Sequence, residues 1–265
     1  INEFVEGGHP QCAVNPRTAF EEEFSLEIPK SDVIKKVAVI GGGPGGITAA
    51  ETLILRGHKV DLYEKTDKLG GNIVPGSKPK IKYEIKNYLT YLEGVVEKLK
   101  GNENFNVIFN KEIGAEELKA KGYDVILVAA GAKQNRLPVQ GIDGKNVVLA
   151  VDVLNNKEIV KDAKRIVVIG GGVVGAETAY FLRYELDKEV EVVEMDKYIM
   201  NHACTANRGH IIHYLEEGNV KLHNCTKVTE IKDNKVIIEK NTHKRVPNPY
   251  NTWSPILPEN VLNPL

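Results

Sequence analysis

Cysteine is scarce in this chain. There are three in 265 residues, Cys12, Cys204 and Cys225, far apart and odd in number. This excludes a disulfide scaffold and makes a reducing, cytoplasmic setting the expectation. No Cys-x-x-Cys occurs. His202, His210, His213 and His223 lie near Cys204 and Cys225 in the sequence, but the spacing fits no zinc pattern, and they read as ordinary surface and core residues. Charge of one sign is also lacking. A net charge of -1 gives no reason to expect nucleic acid or an anionic membrane as partner. No apolar run is long enough to span a bilayer, and no signal peptide is seen. The chain starts at Ile1 without an initiator methionine, which suggests a fragment or a processed chain.

Glycine, by contrast, is gathered where it carries information. Gly41-Gly42-Gly43-Pro44-Gly45-Gly46 follows the apolar run Val37-Ala38-Val39-Ile40. Gly170-Gly171-Gly172-Val173-Val174-Gly175 follows Ile166-Val167-Val168-Ile169, 129 positions later. Each turn opens a helix-like stretch, and a second apolar run then ends in an acid, Glu64 or Glu194. This is a dinucleotide-binding fingerprint, present twice. Gly41 and Gly170 make the tight turn. Gly43 and Gly172 let the backbone approach a pyrophosphate, and Gly46 and Gly175 let the helix pack on its strand. The helix N-terminus offers amides and a positive dipole end to the phosphates, and the carboxylate can accept from a ribose hydroxyl. Two dinucleotide sites in one chain imply electron transfer between them.

The rest of the chain fits an α/β protein. Strands are expected at 37–40, 60–64 and 105–109, with helices near 45–57 and 115–121. Ile81, Ile85, Tyr88, Leu89, Leu92, Val95, Val96 and Leu99 have helical spacing. Residues 123–131 read as a buried parallel strand ending in small residues, and 132–163 as a crossover. After Glu194, a helix near 205–217 and short strands at 220–222, 227–232 and 235–239 are expected. Five prolines after residue 241 leave no room for a regular element there. The expected architecture is two Rossmann-like dinucleotide-binding domains, the second inserted in the first. Residues 1–29 would be a lead-in, 30–150 plus 241–265 an FAD-type domain, and 151–240 an NADH-type domain.

Several motifs resemble known families. Leu62-Tyr63-Glu64-Lys65 with Lys68-Leu69-Gly70-Gly71-Asn72 resembles the FAD half of the two-dinucleotide-fold flavoprotein reductases. The resemblance implies that Glu64 holds the adenosine ribose and that Gly70-Gly71 passes against the flavin end of the cofactor. Val128-Ala129-Ala130-Gly131 resembles the small-residue strand end beside FAD, with Ala130 where Thr is common. Gly170 to Glu177 matches the GGGxxGxE pattern of the inserted nicotinamide domain. Glu194 favours NADH, since a carboxylate repels a 2′-phosphate, while Lys197 keeps a phosphate partner open. Cys204 and Cys225 lack the close spacing of a flavin-linked redox disulfide.

Cys12-Ala13-Val14-Asn15-Pro16, followed by acidic residues and then the FAD fingerprint, resembles the hinge of the iron–sulfur branch of the old yellow enzyme family. That branch includes 2-enoate reductases, 2,4-dienoyl-CoA reductases and trimethylamine dehydrogenase. Tyr83–Leu89 and Trp253–Asn260 resemble its enoate reductase group. The resemblance implies FAD and NADH here, with Cys12 as the last thiolate of a [4Fe–4S] cluster. FMN and the remaining cluster ligands would belong to a TIM-barrel portion of the same polypeptide. Electrons would run from NADH to FAD, through the cluster, to FMN and an activated C=C bond.

Departures accompany the resemblance. The barrel and three of the four cluster thiolates are missing, and the chain stops before the late Gly-Asp motif that grips the FAD ribityl chain. No acid, base or nucleophile is nominated here, because a proton donor to the substrate would lie in the barrel. Two other functions stay open: a non-catalytic module that holds only ADP or nothing, and a stand-alone flavin reductase.

Overall fold

A computed structural model describes residues 7–10, 12, 14–24, 26–201 and 203–240. The expectations for the tail after 241, for Trp253–Asn260 and for His202 lie outside the described residues. The chain falls into two compact units, 1–133 and 134–265.

In the first unit, the described residues before β1 form turns and bends without helix or strand. β1 (Lys36–Ile40), β2 (Lys59–Tyr63), β3 (Phe105–Ile108) and β4 (Val125–Val128) make a parallel sheet in the order β3-β2-β1-β4. Helix α1 (Pro44–Leu55) starts with proline at its first position, where no intrahelical donor is needed. It buries Ile47, Ala50 and Ile54. A four-residue helix, α2 (Ile73–Gly76), was not foreseen. Helix α3 (Tyr83–Leu99) turns Leu92, Val95, Val96 and Leu99 to the core, a stripe set by the helical period. Ile81 falls just before it, in a single 3-10 turn after Pro79, whose extended backbone delays the helix start. The short helix α4 (Ala115–Ala120) lies near its expected place. The α1 and α3 faces meet in one core with Val37, Val39, Val60 and Leu62, while Leu118 of α4 packs in a second cluster with Ala38 and Tyr63.

The sequence predicts a buried parallel strand at 123–131. β4 is parallel to β1, but it is not buried: Val125, Ile126 and Val128 are exposed, Val128 by 73%. Among the described residues β4 pairs only with β1, so it is an edge strand, and only Leu127 reaches the core.

In the second unit, β5 (Arg165–Ile169), β6 (Glu189–Val193) and β7 (Lys221–His223) form a parallel sheet in the order β5-β6-β7. Helix α6 (Val173–Tyr184) follows β5, and α7 (Thr205–Glu217) precedes β7. Val220, expected to open the strand, instead donates its amide to Leu215 O at 2.8 Å and closes the helix end. β8 (Thr226–Lys232) and β9 (Lys235–Lys240) make an antiparallel hairpin with a bulge at Val228/Glu230.

The crossover region is more structured than expected. It holds α5 (Ala150–Asn155) and a 3-10 turn at Lys157–Val160. Residues 134–149, expected with the first domain, hydrogen-bond into the second unit. Gln140 bridges Glu230, the Ile231 amide donates to Gln140 O, and Asn146 Nδ2 donates to Lys232 O.

Candidate functional site

The two glycine turns are built alike. Gly41 N–H donates to Tyr63 O at 2.8 Å, and Gly170 N–H to Val193 O at 2.9 Å. Both residues take positive φ, +110° and +98°. At Gly46 and Gly175 a Cβ would collide with the carbonyl oxygens of Gly41 and Gly170. These glycines therefore set how closely helix and turn approach. Gly43, Gly45 and Gly172 are different, because a Cβ there would meet nothing within 4 Å. The space over them is open, as a phosphate site requires.

Both helix starts face that space. Gly43 caps α1 and Gly172 caps α6, each without a side-chain hydrogen bond and with no acid in the first turn. Pro44 has no N–H to offer, so the first-turn amides of Gly45 in α1 and of Val173 and Val174 in α6 are the ones left for a ligand or water, at the positive end of the helix dipole. Val173 and Val174 are exposed. Glu177 lies one turn further along α6, half-buried.

The acids at the strand ends repeat the same geometry. Glu64 Oε2 accepts from Gly42 N–H at 2.8 Å, and Glu194 Oε2 accepts from Gly171 N–H at 2.6 Å. Glu64 Oε1 accepts from both the amide and the hydroxyl of Thr66, each at 2.9 Å. Glu194 Oε1 accepts from the Asp196 amide at 2.7 Å. A carboxylate has about four lone-pair positions, so each acid keeps acceptor capacity for a ribose hydroxyl. The sequence pattern assigned no role to the middle glycines, Gly42 and Gly171, or to Thr66. The available signal was a donor-bearing residue two positions after the acid.

A second loop returns to each turn. Gly70 N–H donates to Gly42 O at 2.9 Å, and Met200 N–H donates to Gly171 O at 2.6 Å. Gly71 takes φ +52°, and a Cβ there would lie 3.4 Å from Gly43 Cα. The double glycine therefore runs against the phosphate turn. Asn72 Nδ2 donates to Ala132 O at 3.1 Å and ties this loop to the segment after β4. Ala130 lies beside Gly41, with Gly131 following at positive φ. Lys65 is exposed on the loop after β2.

In the second unit a cleft of about 1690 Å³ opens along β5 and the start of α6, with Gly170, Gly172, Val173 and Val174 in its wall. Glu194 does not line it. Cys12 is exposed in the segment before β1. Among the described residues, no three His, Cys, Asp or Glu side chains gather as a metal site. None of the described helices is long and apolar enough to cross a membrane.

Residues 35–249 match the pyridine nucleotide-disulphide oxidoreductase family. A cinnamate reductase from Clostridium sporogenes is 35% identical over 240 residues, which is 89% of this chain and 34% of that protein. A bilirubin reductase from Mediterraneibacter gnavus is 37% identical over 86% of this chain and 34% of its own length. The solved structure of a 2-naphthoyl-CoA reductase in complex with 2-naphthoyl-CoA superposes with a TM-score of 0.80 at 32% identity, covering 89% of this chain and 35% of that one. This chain thus spans about a third of the length of these relatives. The similarity falls in the iron–sulfur old yellow enzyme group that the motifs resemble.

Proposed function

Because this chain belongs to the pyridine nucleotide-disulphide oxidoreductase family, a family of FAD- and NAD(P)-binding enzymes, we propose that it is the electron-input part of an NADH-dependent flavoprotein reductase of the 2-enoate reductase type. The observation that carries this reading is the duplicated site. Each half has an open glycine turn, an uncapped helix start and a carboxylate held by the middle glycine.

In this reading the first unit holds FAD. Gly43, Gly45 and the amides starting α1 receive the pyrophosphate. Glu64 takes the adenosine ribose, and Gly70-Gly71 with Ala130-Gly131 lies along the remainder of the cofactor. Lys65 is the cation beside the ribose end. The second unit holds NADH in the same way, with Gly172, Val173, Val174 and Gly175 at the phosphates and Glu194 at the 2′-hydroxyl. Glu177 completes the glycine pattern one turn into α6. The cofactors supply hydride transfer from NADH to FAD, giving NAD⁺ and reduced flavin. The protein's part is to hold each dinucleotide at its own glycine turn.

The onward path lies elsewhere. A [4Fe–4S] cluster takes four thiolates, and this chain offers Cys12 alone near its start. The residues present do not fit the cluster, so no step is assigned to it in this chain. Within the longer polypeptide, Cys12 would join three thiolates from a TIM-barrel portion that also carries FMN and the enoate site.

Calorimetric titration with FAD and NADH tests the assignment. Gly43→Ala should weaken FAD about tenfold or more while NADH affinity holds, and Gly172→Ala should do the reverse, because each added methyl fills one pyrophosphate approach. If either variant weakens both ligands alike, or neither, the assignment of the sites is wrong.

A further inference from the structure

We propose that Asp196 is a second specificity-determining residue of the nicotinamide dinucleotide site, where its carboxylate joins that of Glu194 in turning away a 2′-phosphate. The inference rests on the reading of the second glycine turn as the NADH site.

Glu64 and Glu194 end their strands identically. The amide of Glu64 donates to Ile108 O and that of Glu194 to His223 O, both at 2.9 Å. Each carboxylate is held by the middle glycine of its own turn. Two residues on, the halves diverge. Thr66 caps the Glu64 carboxylate with an amide and a neutral hydroxyl. Asp196 gives its amide to Glu194 at 2.7 Å, but its side chain is a carboxylate and has no donor to give. The position is pinned, since Cys225 N–H donates to Asp196 O at 3.0 Å. Asp196 is exposed, so its charge stands at the protein surface, two residues along the chain from Glu194.

The local charges differ in the same sense. Residues 64–68 contain Glu64, Lys65, Asp67 and Lys68 and are balanced. Residues 194–198 contain Glu194, Asp196 and Lys197, which leaves one negative charge in excess. The neighbouring cations gather on Tyr198. Lys197 Nζ lies 5.1 Å from that ring centre, and the Arg208 guanidinium lies 5.0 Å from it. Arg208 Nε also donates to Ile199 O at 2.8 Å. A 2′-phosphate beside Glu194 would bring up to about two negative charges to a loop that already carries the Glu194 and Asp196 carboxylates, a repulsion that salt would screen. A 2′-hydroxyl brings a donor, which Glu194 accepts.

Equilibrium binding of NADH and NADPH, followed by nicotinamide fluorescence at low and high salt, tests this on wild type, Asp196→Asn, Glu194→Gln and the double variant. The wild type should favour NADH. Asp196→Asn should lower the NADH:NADPH affinity ratio by about three- to tenfold at low salt, where tenfold is about 1.4 kcal/mol. The double variant should lower it further. Salt should shrink the ratio more in the wild type than in Asp196→Asn, a readout that needs no comparison of folding. A ratio and salt response in Asp196→Asn equal to wild type, with Glu194→Gln shifting the ratio, would overturn the role of Asp196 and leave the site reading intact. A wild type that favours NADPH would also overturn it. A wild type that binds neither nucleotide overturns the site reading, and the inference with it.

Discussion

Gly43 and Gly46 stand three positions apart in one turn, yet their geometry gives them separate duties. A side chain at Gly46 would strike the Gly41 carbonyl, whereas one at Gly43 would meet open space. Gly46→Ala, and Gly175→Ala in the second half, should therefore cost stability on the order of 3 kcal/mol, because the obstacle is backbone and cannot rotate away. Chemical denaturation would show it as a lower midpoint. An unchanged midpoint would mean that helix and turn are not as closely packed as described. Glu194 sits at the same scale. Replacing it with alanine removes a charge and an acceptor from the ribose corner and should narrow the preference for NADH over NADPH. Similar affinities for both in the wild type would contradict this. The sequence pattern made Gly41, Gly43, Gly46 and Glu64 legible because it encodes backbone geometry. It was silent on Gly42 and Thr66, whose roles depend on where the Glu64 carboxylate comes to lie.

The strands and helices were legible wherever local periodicity matched burial. The stripe Leu92, Val95, Val96 and Leu99 is both periodic in sequence and buried. The apolar run of β4 was misleading, since its residues suggest burial but the strand lies at a sheet edge. Edge position is a property of pairing, and a run of Val and Ile does not reveal it. Pairing also creates contacts that spacing cannot foresee. Glu191, on the central strand of the second sheet, reaches His223 on β7 at 2.9 Å and Arg165 on β5 at 3.3 Å, with Lys221 at 3.6 Å. The hydrogen bond from His223, helped by the two cations, holds the Glu191 carboxyl below its ordinary range, although partial burial opposes this. A depressed carboxylate stabilises the fold fully above its unfolded value of about 4.3, and that contribution is lost as pH falls through the lower folded value. Between pH 7 and about pH 3, the wild type should thus lose more stability than Glu191→Gln in parallel urea titrations. Equal losses would show that this three-strand bridge contributes nothing.

At the scale of the whole chain, the duplication itself was readable from two glycine runs 129 positions apart. The segment after 133 was harder, because residues 134–149 belong with the second unit through a bridge and hydrogen bonds to β8 and the β8–β9 turn. Such long-range pairing leaves no local trace. The matched relatives are reductases about three times as long as this chain. The central claim, that this chain carries NADH electrons into a flavin, can be tested on the chain as it stands. Its visible absorption spectrum would be taken with FAD added and unbound FAD removed, and again after anaerobic addition of NADH. The account predicts a retained flavin band that bleaches with NADH. A colourless protein, or a flavin band that NADH leaves unchanged, would contradict it.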